Sequence, residues 1–171
     1  MKIAREGYPL IVAAVVVTIL AFVFGWVPIG VILGICTLAI AAFFRDPERR
    51  IPTGEGLIVS PADGKVVSIA DIKDDPKFAE AAARVSIFLS PLDVHINRSP
   101  ITGKVEAVNY QRGKFFAAYK EAASAHNEQN ALKLLDAQGR SLSVVQIAGV
   151  VARRIICRVS RGDNLKRGER F

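Results

Sequence analysis

GYPLIVAAVVVTILAFVFGWVPIGVILGICTLAIAAFF, residues 7–44, runs for thirty-eight residues without a charge and ends abruptly at Arg45-Asp46-Pro47-Glu48-Arg49-Arg50. As a single helix it would reach about 57 Å at ~1.5 Å per residue, nearly twice the roughly 30 Å hydrocarbon core of a bilayer. Gly25-Trp26-Val27-Pro28 lies at its midpoint. A proline there would cost a helix interior about 3 kcal/mol, and a tryptophan suits the lipid–water interface. The sequence therefore predicts two short helices in a transmembrane hairpin over residues 1–44. Lys2 and Arg5 precede the first arm and Arg45, Arg49 and Arg50 follow the second, which places both ends on the cytoplasmic side of the cell membrane. Each arm has only about 17 residues, at the lower edge of the spanning range, so a shallower hairpin within one leaflet is the alternative. A cleaved secretory signal fits less well, because its apolar region normally has about 7–15 residues.

The remaining 127 residues, Arg45 to Phe171, suffice for one domain with its own core. They carry 21 Lys and Arg against 15 Asp and Glu, a balance of +6 that suits an anionic lipid surface. Nucleic acid is not expected as a partner, since no aromatic residues interleave with the basic ones as stacking platforms. Cys36 lies in the second apolar arm and Cys157 in an expected strand, which argues against a disulfide. There is no Cys-x-x-Cys, and His95 and His126 are far apart, so no metal site is expected.

The domain reads as mainly β, of the α+β class, with an antiparallel sheet. Expected strands are Leu57–Val59, Lys65–Ile69, Arg84–Leu89, Lys104–Tyr110, Ser141–Ile147 and Ile155–Val159, rich in β-branched residues and separated by turn signals. Helix is expected only over Pro76–Ala83 and Ala117–Ala125, with a turn or helix around Ala148–Arg153. Ser60-Pro61-Ala62-Asp63-Gly64-Lys65-Val66-Val67 and Arg161-Gly162-Asp163-Asn164-Leu165-Lys166-Arg167-Gly168-Glu169 resemble the turn signatures in the two halves of barrel-sandwich hybrids. That architecture without chemistry, tethered to a membrane as a binding module, is one reading of the chain.

Three polar groupings are candidates for chemistry. Asp63 sits between Pro61-Ala62 and Gly64, where an aspartate commonly caps its own turn. His95 lies in the proline-bracketed loop Ser90-Pro91-Leu92-Asp93-Val94-His95-Ile96-Asn97-Arg98-Ser99-Pro100, beside groups that suit a proton carrier. His126-Asn127-Glu128-Gln129-Asn130 offers mixed donors and acceptors for a polar head group, or forms a solvated loop.

Taken together, Arg45-Asp46-Pro47-Glu48-Arg49 after an apolar hairpin, Ser60-Pro61-Ala62-Asp63-Gly64, Leu89-Ser90-Pro91-Leu92-Asp93-Val94-His95-Ile96-Asn97-Arg98 and His126-Asn127-Glu128 resemble the short, membrane-anchored type of phosphatidylserine decarboxylase. The resemblance implies a proenzyme that cleaves itself at a serine. It also implies a pyruvoyl cofactor derived from that serine at the start of a separate α chain, and conversion of phosphatidylserine to phosphatidylethanolamine. By matched motif, Asp63 and His95 become the catalytic residues, and Asn97, Arg98, His126 and Asn127 candidate substrate-binding residues. The expected partners are the pyruvoyl-bearing α chain, an anionic phospholipid and the membrane, and a homodimer of αβ units is compatible with the pattern. Two departures stand out. Arg98 occupies the place of a second histidine in longer family members, and Gln129 stands where an arginine is expected. No Gly-Ser cleavage pair appears near the C-terminal end and Phe171 falls just short of its expected place, so 45–171 is expected to be the β-chain domain, inactive alone. An archaeal-type serine lipid is an alternative substrate, because it shares the head group.

Overall fold

The computed structural model describes residues 2–72, 82–117 and 121–171. They fall into two compact units, Met1–Arg49 with Leu92–His95, and Arg50–Pro91 with Ile96–Phe171.

In the first unit, α1 (Tyr8–Val23) and α2 (Val27–Phe43) form the expected helical hairpin. Each begins with a proline in its first turn, at Pro9 and Pro28, where the missing N–H is not needed. Gly25 closes the tip at φ 76°, a conformation glycine adopts without steric cost. Small residues line the contact between the arms: Gly34 faces Thr18, and Gly30 lies so close to the Phe22 ring that a Cβ would collide with it. The Thr18 and Thr37 hydroxyls meet at 3.2 Å across the interface. The large side chains point outward, with Leu10, Val12, Ile19, Ile32, Ile35 and Leu38 all more than half exposed. Such a surface is stable in hydrocarbon rather than in water. The helix Arg5–Val23, counting the short 3₁₀ turn before α1, is long and apolar enough to cross a membrane, whereas α2 is shorter. Strands β1 (Lys2–Ile3) and β2 (Arg45–Asp46) pair antiparallel and tie the two ends of the hairpin together, a closure the sequence did not suggest.

The second unit is built of antiparallel sheets, a curled half-barrel among them, and the chain is of the mainly β, α+β class. Strands β3 (Lys65–Ile72) and β4 (Ala82–Phe88) form a two-stranded ribbon. Strands β5 (Gly103–Gln111), β6 (Gln129–Leu135), β7 (Ser141–Ile147) and β8 (Asn164–Leu165) form a sheet in the order β7-β6-β5-β8. Along β6 the alternation is regular: Asn130, Leu132 and Leu134 are buried, while Lys133 is exposed and reaches Glu106 on β5 at 2.8 Å. The buried face joins Ile101, Val105, Leu132, Leu134, Val144, Leu165 and Phe171 into one core, with Cys157 and Val159 packed against it.

Several expectations are corrected here. Leu57–Val59 and Ile155–Val159 are not strands; their apolar side chains are placed without a ladder. Strand β6 was not expected, because Ala131-Leu132-Lys133-Leu134-Leu135 is composed of good helix formers. Of the helix expected over Ala117–Ala125, residues 118–120 lie outside the described residues, and Glu121 to Ala125 fall in α3 (Glu121–His126). Of the expected helix Pro76–Ala83, residues 76–81 lie outside the described residues, and Ala82 and Ala83 belong to β4.

The C-terminal turn is tightly braced. Gly168 adopts φ 80° and packs its Cα against Ile51, and its N–H donates to the Ser99 carbonyl at 2.7 Å. The Arg167 guanidinium donates to the carbonyls of Pro52, Gly54 and Leu57 at 2.8–3.0 Å. Gly168→Ala is therefore expected to cost at least ~1–2 kcal/mol from its backbone conformation alone, with the Ile51 collision adding to it. Chemical denaturation would measure this as a lowered midpoint.

Candidate active site

His95 belongs to the first unit, and its surroundings there are specific. Its Nδ1 lies 3.0 Å from the backbone carbonyl of Asp93. A carbonyl only accepts, so Nδ1 carries the proton and the ring lone pair is on Nε2, the form a general base requires. The Phe43 ring stacks on the imidazole with centroids 4.4 Å apart and planes tilted by 30°. Burial pushes the His95 pKa below its ordinary value, outweighing the Asp93 carbonyl and carboxylate that favour the charged ring; the Arg45 charge acts in the same direction as burial. The imidazole is thus held neutral at physiological pH.

In the second unit the turn bearing Asp63 is docked onto the continuation of the His95 loop. The Pro61 carbonyl accepts from the Arg98 N–H at 3.0 Å and from Asn97 Nδ2 at 3.1 Å. Asn97 Oδ1 in turn accepts from Gln146 Nε2 at 2.9 Å, and Gln146 Oε1 accepts from the buried Asn130 Nδ2 at 3.0 Å. A chain of amides therefore runs from the middle of the sheet to the Asp63 turn. Within the turn, Ser60 Oγ donates to the Ala62 carbonyl at 2.7 Å. Gly64 lies so close to the Phe88 carbonyl that no side chain fits there.

Arg98 is drawn toward the C-terminal turn, where its Nη1 donates to the Gly168 carbonyl at 3.0 Å. Its backbone forms an antiparallel bridge with Arg170, and the Phe171 N–H donates to the Asn97 carbonyl at 3.4 Å. Arg170 and Phe171 thus run antiparallel to Asn97 and Arg98.

His126 and Asn127 lie together at the end of α3. His126 is exposed, its ring edge-on to Phe116 at 6.5 Å between centroids. Asn127 is 1% exposed, and its amide is fully engaged with the backbone. Nδ2 donates to the Phe116 and Ala148 carbonyls, and Oδ1 accepts from the Phe116 N–H, all at 2.8 Å. This arrangement gives Asn127 a bracing task, holding the 114–116 segment against the turn at Ala148. Asn127→Ala would leave three backbone groups without that partner and is expected to cost about 3 kcal/mol, readable in an equilibrium denaturation curve.

Sequence reasoning singled out the His95 loop and the Asp63 turn, took Asn130 only as the end of a polar run, and missed Phe43 and Gln146. These act through contacts 16 to 52 positions away along the chain, and no local pattern marks them.

A neutral imidazole on a clamped loop is equipment for acid–base catalysis. A family model for phosphatidylserine decarboxylase matches residues 37–171, and the chain belongs to that family. A phosphatidylserine decarboxylase proenzyme of Syntrophus aciditrophicus is 45% identical over 172 residues, covering 99% of this chain and 80% of the relative. The proenzymes of Cereibacter sphaeroides and Symbiobacterium thermophilum are 49% and 45% identical, with 98% and 99% of this chain and 73% and 78% of the relatives covered.

Proposed function

We propose that this chain carries the self-processing and lipid-binding machinery of a pyruvoyl-dependent decarboxylase that converts phosphatidylserine to phosphatidylethanolamine. Decarboxylation of phosphatidylserine, a carboxy-lyase reaction, follows from the family and from relatives of known name across nearly the whole chain. The non-catalytic binding module falls away on the same ground. A proenzyme implies a second chain released by cleavage, and the substrate is a phospholipid. That second chain is read as the α chain, which bears the pyruvoyl group.

The single observation that carries the residue assignment is the neutral His95 imidazole, its Nδ1 proton committed to the Asp93 carbonyl. The residues present fit a serine-derived pyruvoyl group. The antiparallel register sets Phe171 opposite Asn97, which is two positions along the sequence from that base. When present, the group supplies a carbonyl that withdraws electrons as carbon dioxide leaves.

This chain's own part is proton transfer and binding. His95 Nε2 takes the proton of the attacking serine hydroxyl during self-cleavage, and the Asp93 carboxylate favours the imidazolium so formed; Asp63 is assigned to the same step by its motif. Arg98 and Asn97 fix the loop, and His126 offers an exposed donor to the head group. The apolar hairpin anchors the chain in the cell membrane. Lys2, Arg5, Arg45, Arg49 and Arg50 keep both of its ends on the cytoplasmic side, where they also attract the anionic head group.

The test is release of carbon dioxide from carboxyl-labelled phosphatidylserine in mixed vesicles by protein expressed from its complete reading frame. Activity abolished by a carbonyl reagent such as hydroxylamine is expected. Activity untouched by that reagent would overturn the pyruvoyl reading.

A further inference from the structure

Phe43 is the last residue of α2, and Arg45 the first of β2, so both stand where the chain leaves the apolar hairpin. Both reach the His95 loop. The Phe43 ring covers one face of the imidazole at 4.4 Å. Arg45 Nη1 donates to the Ala42 carbonyl at 2.8 Å, capping the end of α2, while Nη2 donates to the Leu92 carbonyl. One guanidinium thereby brackets the helix end to the loop three residues before His95. Between these two anchors Val94 is buried, at 4% exposed, so the loop has little freedom to rotate. The imidazole is fixed on three sides: by a ring from the hairpin, by its own Asp93 carbonyl, and by a loop strapped to a helix terminus.

We infer that Phe43 and Arg45 are positioning residues that set the orientation and hydration of the His95 imidazole, so that the end of the apolar hairpin is part of the catalytic apparatus and not only an anchor. The inference rests on the reading of His95 as the general base.

The physical basis is preorganisation. An imidazole free to turn about its side-chain torsions presents Nε2 to its target only part of the time, and a misplacement of about 1 Å costs a reaction up to roughly a hundredfold. A stacked ring removes that freedom at no cost in polar groups, and it keeps water from one face. Among the described residues, the groups acting on the ring are Asp93 through its carbonyl and its carboxylate, Arg45 through its charge, and Phe43 through exclusion of water. Removing Phe43 admits water, relieves the burial that holds the pKa down, and lets it rise toward the ordinary value of about 6.5.

The experiment uses the protein from its complete reading frame, in detergent–phosphatidylserine micelles, with Phe43→Ala, Phe43→Leu and Phe43→Tyr. Self-cleavage is followed by intact mass, and kcat and KM are followed per processed molecule from pH 5 to 9. Phe43→Ala is expected to lower kcat roughly ten- to hundredfold with a smaller change in KM, and to move the acid limb of the pH profile upward. Phe43→Leu keeps the apolar bulk that closes α2 but removes the ring, and is expected to shift the limb in the same direction. Phe43→Tyr restores both rate and profile. A normal kcat in Phe43→Leu, or a reduced kcat with an unmoved acid limb, would overturn the inference and leave Phe43 a packing residue. His95→Ala run alongside separates the two levels. If that variant processes and decarboxylates normally, the reading of His95 itself fails; if it is inactive while the Phe43 variants behave as wild type, only the positioning inference fails.

Discussion

His95→Ala is expected to reduce self-cleavage by about 10³-fold or more, within the range general-base removal produces, while the melting temperature changes little. The two effects separate because the imidazole is half-buried on a loop and belongs to no core cluster. Its surroundings also fix the pH dependence. The folded-state pKa is depressed, so the reactive neutral form persists below the ordinary value of 6.5, and the acid limb of the processing rate is expected below that value. The same shift bears on stability with a definite sign. Above 6.5 the ring is neutral in both folded and unfolded chains and contributes no pH dependence. As pH falls from 6.5 through the depressed folded value, the unfolded chain binds the proton more readily and the fold loses stability. Processing at wild-type rate in His95→Ala would remove His95 from the chemistry.

Asp63→Asn is expected to slow self-cleavage by about 10²–10⁴-fold, the range that loss of a catalytic carboxylate produces. The turn should survive the change. Its shape is set by Ser60 Oγ on the Ala62 carbonyl and by the two bonds that the Pro61 carbonyl accepts from Asn97 and Arg98. Asparagine suits a turn as well as aspartate does. A cleavage time course with a parallel thermal melt distinguishes the cases. Slow cleavage with an unchanged melt assigns Asp63 to the chemistry, whereas normal cleavage with a lowered melt makes it a turn residue.

The parts of this protein that were legible in the sequence are those decided locally. The break at Gly25-Trp26-Val27-Pro28 was readable because proline and glycine act on their own backbone, and the helices indeed stop at Val23 and resume at Val27. Strands β3, β4, β5 and β7 announced themselves through β-branched runs between turn signals. Strand β6 did not, since Leu and Lys favour helix in isolation; pairing on both sides, with β5 and β7, overrides that preference. Ile155–Val159 failed for the opposite reason. Its β-branched residues suit a strand, yet Cys157 and Val159 satisfy their apolar preference against the core without a ladder. In the candidate site, the His95 loop was marked by its flanking prolines and its charge. The Phe43 ring over the imidazole and the Asn130–Gln146–Asn97 chain join residues that only the fold brings together, and neither leaves a trace in any short window of sequence.

The most direct test of the central claim is the intact mass of the protein expressed from its complete reading frame, together with the reactivity of any small chain that copurifies. Two chains are expected, the smaller one blocked at its N-terminus and labelled by a ketone reagent. A single uncleaved polypeptide carrying no reactive carbonyl would contradict it.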